Sequence, residues 1–459
     1  MILSGEHHVP TARAFLEQNH QHEDGCTLRC HYGTLYEWSG AGWRELTDRG
    51  LESRLVPFLD GAQLPDGNES RRGNIYPVNN RTVSEAREAI KRETYLEESC
   101  AAPCWLDGRP GPRVSELIVG ESTLWHVQPD GSLEPLRPTP ALFSLNALTF
   151  DPDPQSPPPL RWMAFLKDLF GDDHEQMELL QEFMGYTLTS DTSQQKALLM
   201  VGPKRAGKGT ILRVWEALAG SDNCDSPTIK GFAGNFGLQS LIGKTVAFIP
   251  DADFSGAGVA SFSEWLKSIT GEDSVTFDRK YRDPVKVRLR ARFVVTTNNL
   301  PQLDDASGAL ASRFLILRFT KSFIGHEDTD LEGKLLAELP GILNWALFGL
   351  ARLRSRRRFV MPASSADDVR QLEDLASPVA AFVRDCCNVG PEYESGTRDL
   401  FETWGRWCAR SGAHAGDKRQ FGKNVKSALA SIRTKQRNNG ERAYVGIAPK
   451  LPHEGEFFG

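Results

Sequence analysis

No stretch of about 18 consecutive apolar residues occurs in the chain, so a membrane-spanning helix is not expected. The first residues, Met1 to His8, lack both a basic start and a long apolar core, which sets aside a secretory leader and makes a cytoplasmic location the expectation. Cysteine is sparse, eight in 459 residues, and pairs such as Cys386-Cys387 sit in apolar contexts. That is no disulfide framework, and reduced thiols are expected. Positive charge is also lacking overall. A formal net charge of −6 excludes a protein coated in basic surface, so any nucleic-acid contact must be local. What remains, 40% hydrophobic and 25% charged residues, is ordinary for a globular protein of roughly two to four domains.

The stretch around which the chain is organised runs from Leu198 to Thr210. An apolar run, Ala197 to Val201, empties into Gly202, Pro203, Lys204, Arg205, Ala206, Gly207, Lys208, Gly209 and Thr210. The spacing of Gly202, Gly207 and Lys208 is that of the G-x-x-x-x-G-K-[ST] loop, whose backbone N–H groups cradle phosphates. Ile211, Leu212, Val214, Trp215 and Leu218 then follow at helical spacing, with Gly220 as the C-cap. One position departs from the pattern. The hydroxyl expected directly after the lysine to hold Mg2+ is replaced by Gly209 and arrives one residue late, at Thr210.

A phosphate loop needs a metal-holding carboxylate at the tip of a neighbouring strand, and Asp251 follows the apolar run Val246 to Ile249. Asp253 is either a general base or a loop cap. Asn298, at the end of the strand Arg292 to Thr297, has an amide able to donate to a phosphate and orient water. Arg313 precedes the apolar strand that starts at Phe314; it is either structural or an arginine finger on ATP bound by the next subunit. Two alternating runs meet in a hairpin with Arg279, Lys280, Arg282 and Lys286 near its tip. That hairpin suits a single-stranded phosphate backbone, or is a charged edge that resists aggregation. Asp304 and Asp305 precede a small-residue helix. Two C-x-x-x-C pairs, Cys26/Cys30 and Cys100/Cys104, with His31 beside the first, leave a structural zinc open against plain thiols.

Four segments are expected. Residues 1–105 form an accessory unit containing an aromatic hairpin between Tyr32 and Trp43 and a helix from Thr82 to Glu98 with a Thr82/Glu85 capping box. Residues 106–195 carry short strands, a proline-rich boundary at 151–159 and two collar helices. Residues 196–358 form an α/β core with a mostly parallel sheet, ending in a helix whose arginines (Arg352, Arg354, Arg356, Arg357, Arg358) are expected to be solvated. Residues 366–459 form a small α+β unit in which helix, basic hairpin and strand suggest a winged helix.

The ordered set G-P-K-R-A-G-K-G-T (202–210), I-G-K-T-V-A-F-I-P-D (242–251), L-K-S-I-T-G-E-D (266–273) followed by D-R-K-Y (278–281), T-T-N-N-L-P (296–301) and A-S-R-F (311–314) resembles superfamily 3 DNA helicases. The similarity is strongest to the phage and plasmid primase-helicase branch, where G-K-G-T often replaces G-K-S-T. It extends from Trp105 to Arg358 and more weakly beyond. The resemblance implies an AAA+-like P-loop ATPase that forms a homo-hexameric ring on single-stranded or forked DNA and moves 3′ to 5′. It would hydrolyse ATP with Mg2+ during replication of a phage or mobile element in a bacterial host cell, with a primase or another replication protein as a further partner. It further implies that Lys208 and Thr210 contact phosphates, Asp251 and Thr210 Mg2+, Asn298 the sensor site, Arg313 the neighbour's ATP and Lys280 DNA. No primase carboxylate cluster is evident in residues 1–105. The alternatives are a weakly hydrolysing replication initiator or loader, with sequence recognition by the last unit, and a phosphotransferase like the nucleoside monophosphate kinases.

Overall fold

The computed structural model describes residues 3, 8–63, 75–256, 258–280, 282–303, 309–429, 431–437 and 440–450, with backbone alone for Arg282 and Asp283. Helix α1 (His8–Asn19) precedes an antiparallel sheet of β1 (Leu28–His31), β2 (Thr34–Trp38) and β3 (Trp43–Leu46), followed by α2 (Asp48–Asp60) and α3 (Asn80–Glu93). Trp38 pairs with Trp43 across the expected hairpin. The aromatic residues serve packing: Trp43 is buried, donates Nε1–H to the Leu142 carbonyl at 2.8 Å and meets the edge of Phe143. Helix α3 starts before Thr82, because Asn79 accepts from the Arg81 and Thr82 N–H groups and Thr82 serves as its capping-box partner. The helix stops at Glu93, five residues short of the expected end.

A three-stranded meander, β4 (Leu117–Val119), β5 (Leu124–Val127) and β6 (Leu133–Leu136), turns at Gln128 to Gly131 as its Pro-Asp-Gly chemistry predicts. Beyond the prolines, α4 (Leu160–Phe170) and α5 (His174–Thr187) form the collar.

The central sheet has five parallel strands: β7 (Ala197–Val201), β8 (Cys224–Asp225), β9 (Val246–Ile249), β12 (Arg292–Thr297) and β13 (Phe314–Arg318). Their order across the sheet is β8-β9-β12-β7-β13. All five residues of β7 are buried and divide by alternation. Leu198 and Met200 join a cluster with the collar, α6 (Lys208–Ala219) and α9 (Leu339–Arg356); Ala197, Leu199 and Val201 join one with α7 (Val259–Thr270) and the hairpin of β10 (Ser274–Arg279) and β11 (Arg282–Arg288). The residues over 331–354, helical in sequence pattern, form two helices, α8 (Leu331–Leu336) and α9, because Pro340 fits only a first turn.

Helix α10 (Ala366–Ala376) lies on the sheet, with Leu372 and Ala376 inside the second cluster. A separate apolar cluster begins at Val379. It joins α11 (Pro378–Cys386), β14 (Cys387–Gly396), α12 (Thr397–Ser411), α13 (Lys418–Ala428), β15 (Arg433–Gln436) and β16 (Arg442–Pro449), with strand order β14-β16-β15. Among the described residues no helix is long and apolar enough to cross a membrane.

Candidate functional site

The chain leaves β7 at Gly202, where a Cβ would lie 2.3 Å from the Phe319 carbonyl oxygen, so only glycine lets the two backbones approach. At Gly207 the backbone turns left-handed (φ 84°), and a side chain would meet Leu169 of the collar at 2.8 Å. Between them the loop is braced from outside. Phe323 N–H donates to the Arg205 carbonyl and the Ser322 hydroxyl to the Lys204 carbonyl, each at 2.9 Å. Helix α6 then starts at Lys208 with no side-chain cap, so the first-turn N–H groups of Lys208, Gly209 and Thr210 face outward at the positive end of the helix. That combination suits an anion. Lys208 is buried and turned back on the loop, donating to the carbonyls of Gly202 (2.5 Å) and Pro203 (2.8 Å). Burial lowers its pKa, and the Asp251 carboxylate opposes that shift.

Because β7, β9 and β12 are parallel, the residues that follow them share one sheet edge. Asp251, exposed, adopts φ 44°; its N–H donates to Thr296 Oγ1 at 2.9 Å, and the Ala252 N–H to the Thr296 carbonyl at 2.7 Å. These bonds fix the tip of β9 to that of β12. Gly202 N–H donates to the Thr297 carbonyl at 3.2 Å, so the start of the loop is fixed to the same tip. Asn298 is the next residue and is exposed. Asp253 accepts through one oxygen from Ser255 N–H (2.9 Å) and Oγ–H (2.6 Å), bonds that hold its carboxyl below the usual range and give it the geometry of a loop cap. Thr210 lies in the first turn of α6, its hydroxyl 3.5 Å from the Arg213 guanidinium.

Arg313 is not brought to this edge. Phe314 pairs with Ala197 at the start of both strands, so Arg313 sits a five-residue strand, roughly 16 Å, away from the loop. There its guanidinium donates to Gln195 Oε1 at 2.7 Å. The β10–β11 hairpin has one buried face, with Val275, Phe277 and Val285 inside the second cluster. Lys286 stands on the exposed face opposite Thr276, and Lys280 is exposed with its N–H donating to Gln239 Oε1. Arg279 instead turns inward and donates to the Tyr32 carbonyl at 2.8 Å, joining the hairpin to the N-terminal unit. The backbone of Arg282 pairs with Arg279; Tyr281, Asp304 and Asp305 lie outside the described residues.

Residues 200–313 match a family of unknown function, DUF5906. That span contains the loop, Asp251, Asn298, the hairpin and Arg313. Among solved structures, two of the C-terminal region of NrS-1 (residues 305–718) share the fold. One has a TM-score of 0.50 at 11% identity, the other 0.51 at 9%, and each match covers 96% of this chain and 99% of the other.

Three of the five arginines at the end of α9 are not solvated: Arg352 and Arg356 both pair with Glu182 of α5 at 2.6 Å, and Arg354 donates to the Ser115 carbonyl, whereas Arg357 and Arg358 are exposed as expected. Glu182 has a side chain 1% exposed, and burial raises its pKa in spite of the two guanidinium groups. The four paired cysteines do not gather: Cys100 and Cys104 hydrogen-bond to each other, while the Cys26 thiol donates to the Leu28 carbonyl. Among the described residues, the one group of three or more such donors within 4.8 Å of one another is His22, Glu23 and Asp24.

Sequence reasoning missed Arg292. This fully buried guanidinium at the start of β12 donates to the carbonyls of Tyr186 (3.3 Å), Thr187 (2.5 Å) and Thr189 (2.6 Å), where α5 ends, and to that of Arg290 (2.9 Å). Burial pushes its pKa down to about 10. The available signal was a lone cation opening an otherwise apolar strand.

Proposed function

We propose that the chain is an ATP-dependent DNA helicase, an ATP hydrolase working as a hexameric ring in replication of a phage or mobile element. One observation carries this reading. The glycine loop with its uncapped helix, Asp251 and Asn298 converge on one sheet edge, while Arg313 lies at the opposite edge, away from its own loop; in this reading it serves a neighbouring subunit.

In this reading the N–H groups of the loop and of the first turn of α6 hold the ATP phosphates, and Lys208 exchanges its two carbonyl partners for phosphate oxygens. Mg2+, when bound, neutralises charge on the β- and γ-phosphate oxygens. The donor set suits it: the Asp251 carboxylate is exposed at the strand tip beside Lys208, and the Thr210 hydroxyl stands in the first turn of the helix. Asn298 orients the attacking water or donates to the γ-phosphate. Arg313 of the adjacent subunit stabilises charge in the transition state, a role generally worth about 10³–10⁵ in rate. Lys280 and Lys286 are exposed on the hairpin, and in this reading they track a single-stranded phosphate backbone.

Steady-state ATPase with and without single-stranded DNA tests the core of the proposal. Lys208→Ala is expected to abolish the DNA-stimulated rate, and full stimulated activity in that variant would refute it. Gly209 favours a second reading, an initiator or loader that hydrolyses ATP weakly. Efficient strand displacement on a forked duplex would exclude that role.

A further inference from the structure

The last unit carries a charge unlike the rest of the molecule. From Thr397 to Lys450 there are twelve Lys and Arg against four Asp and Glu, in a chain whose formal net charge is −6. Six of those cations line one open groove between α13 and the β15–β16 ribbon: Lys418, Arg419, Lys423 and Lys426 from the helix, Lys435 and Arg442 from the strands. All six are exposed, and none of the described residues lining the groove is acidic. Glu394, outside it, pairs with Lys435 and with Arg437; Lys418, Arg419, Lys423 and Arg442 form no ion pair among the described residues.

The groove is built by the fold. On α13 the buried side is Phe421 and Val425, set in the apolar cluster of this unit, which turns the lysines and Arg419 outward. Gly422 stands in the middle of the cationic face; a Cβ there would lie 2.7 Å from the Tyr444 hydroxyl, so its absence lets the ribbon come up to the helix. Tyr444 is 5% exposed and forms the floor. Like charges held this close repel one another unless an anion with several charges lies between them.

We infer that this groove grips the phosphate backbone of double-stranded DNA without reading its sequence. The helical cations run from Lys418 to Lys426, nine residues and about 12 Å along the axis, long enough to meet more than one phosphate of a duplex strand. The side chains on offer are phosphate donors, not base readers bound into a fixed pair. A single-strand site would present exposed rings for bases to stack on, whereas the one aromatic residue here is buried beneath the cations. The inference is independent of the ATPase reading: a chain that holds duplex here yet hydrolyses no ATP would sink the helicase proposal alone.

The test is fluorescence anisotropy on the full chain, titrated over a range of KCl with two duplexes of unrelated sequence and a single strand of equal length. The variant Arg419→Gln/Lys423→Gln/Arg442→Gln removes three exposed cations, and its melting temperature is expected to match the parent. Affinity for both duplexes should fall by the same factor, tenfold or more, and the log–log salt slope should shrink by about 3. An unchanged salt slope would overturn the inference. So would a loss confined to one duplex, which would mean base readout, or a loss confined to the single strand.

Discussion

In its own subunit Arg313 stands about 16 Å from the loop that ends in Lys208, the length of β7, and neither rotamer change nor loop adjustment spans that distance. If it acts on ATP it does so on the neighbour's, and complementation can expose this. Lys208→Ala and Arg313→Ala are each expected to reduce ATPase by at least about 10³. When the two variants are mixed in equal amounts and exchanged into common rings, a site works if its loop retains Lys208 and its neighbour retains Arg313. Each condition holds for half of the subunits, so about one site in four regains activity in a head-to-tail ring. A cis-acting arginine restores none, because every subunit lacks one residue of its own pair. The assay is ATP turnover after exchange, with mixing verified by energy transfer between labelled subunits. A mixture no more active than the two variants assayed separately, or an Arg313→Ala protein with the parental rate, would refute the reasoning.

The two aspartates after β9 should separate cleanly in steady-state kinetics: Asp251→Asn loses about 10² or more in kcat, whereas Asp253→Asn, which disturbs a loop cap, changes it less than threefold and lowers stability by about 1 kcal/mol. Glu182→Ala leaves Arg352 and Arg356 without their shared carboxylate and should cost about 3 kcal/mol in denaturant unfolding; a loss below 1 kcal/mol would mean that the pair is effectively solvated. His31 is buried against Tyr32 and Phe143, and burial holds its pKa down to about 4 from the usual 6.5. The folded state therefore binds this proton less readily than the unfolded chain, so stability is fully present above about pH 6.5 and falls as pH drops towards 4. The loss is at most about 3 kcal/mol, and it should vanish from the pH–stability profile of His31→Phe.

The parts of the fold legible in the sequence were those where one physical requirement acts alone. Ala197 to Val201 reads as a doubly buried strand because it is apolar throughout, and the helix ending at Gly220 reads from its spacing and its C-cap. The common edge of Lys208, Asp251 and Asn298 followed from parallel strands, which the alternation of strands and helices implies. What stayed hidden depended on partners far along the chain. The arginines of α9 look like solvated surface until Glu182, some 170 positions earlier, is placed beneath them. Arg279 has the composition of a nucleic-acid contact, but its guanidinium lies against the Tyr32 carbonyl, 247 positions away. The start of α3 was misplaced for a local reason, since Asn79 and Thr82 can each cap a helix and only the backbone decides which does.

Arg292 gives the collar a mechanical role. Its guanidinium closes the carbonyl end of α5, and its backbone opens β12, whose far tip holds Thr297 against Gly202 and leads into Asn298. With Glu182 tying α5 to α9 as well, buried polar contacts join this collar helix both to the central strand and to α9. A hinge between α5 and the sheet would have to break the bonds from Arg292 to the carbonyls of Tyr186, Thr187 and Thr189 together. If the glycine loop drives a stroke, these contacts predict that α5 follows the sheet and that the movement is taken up elsewhere.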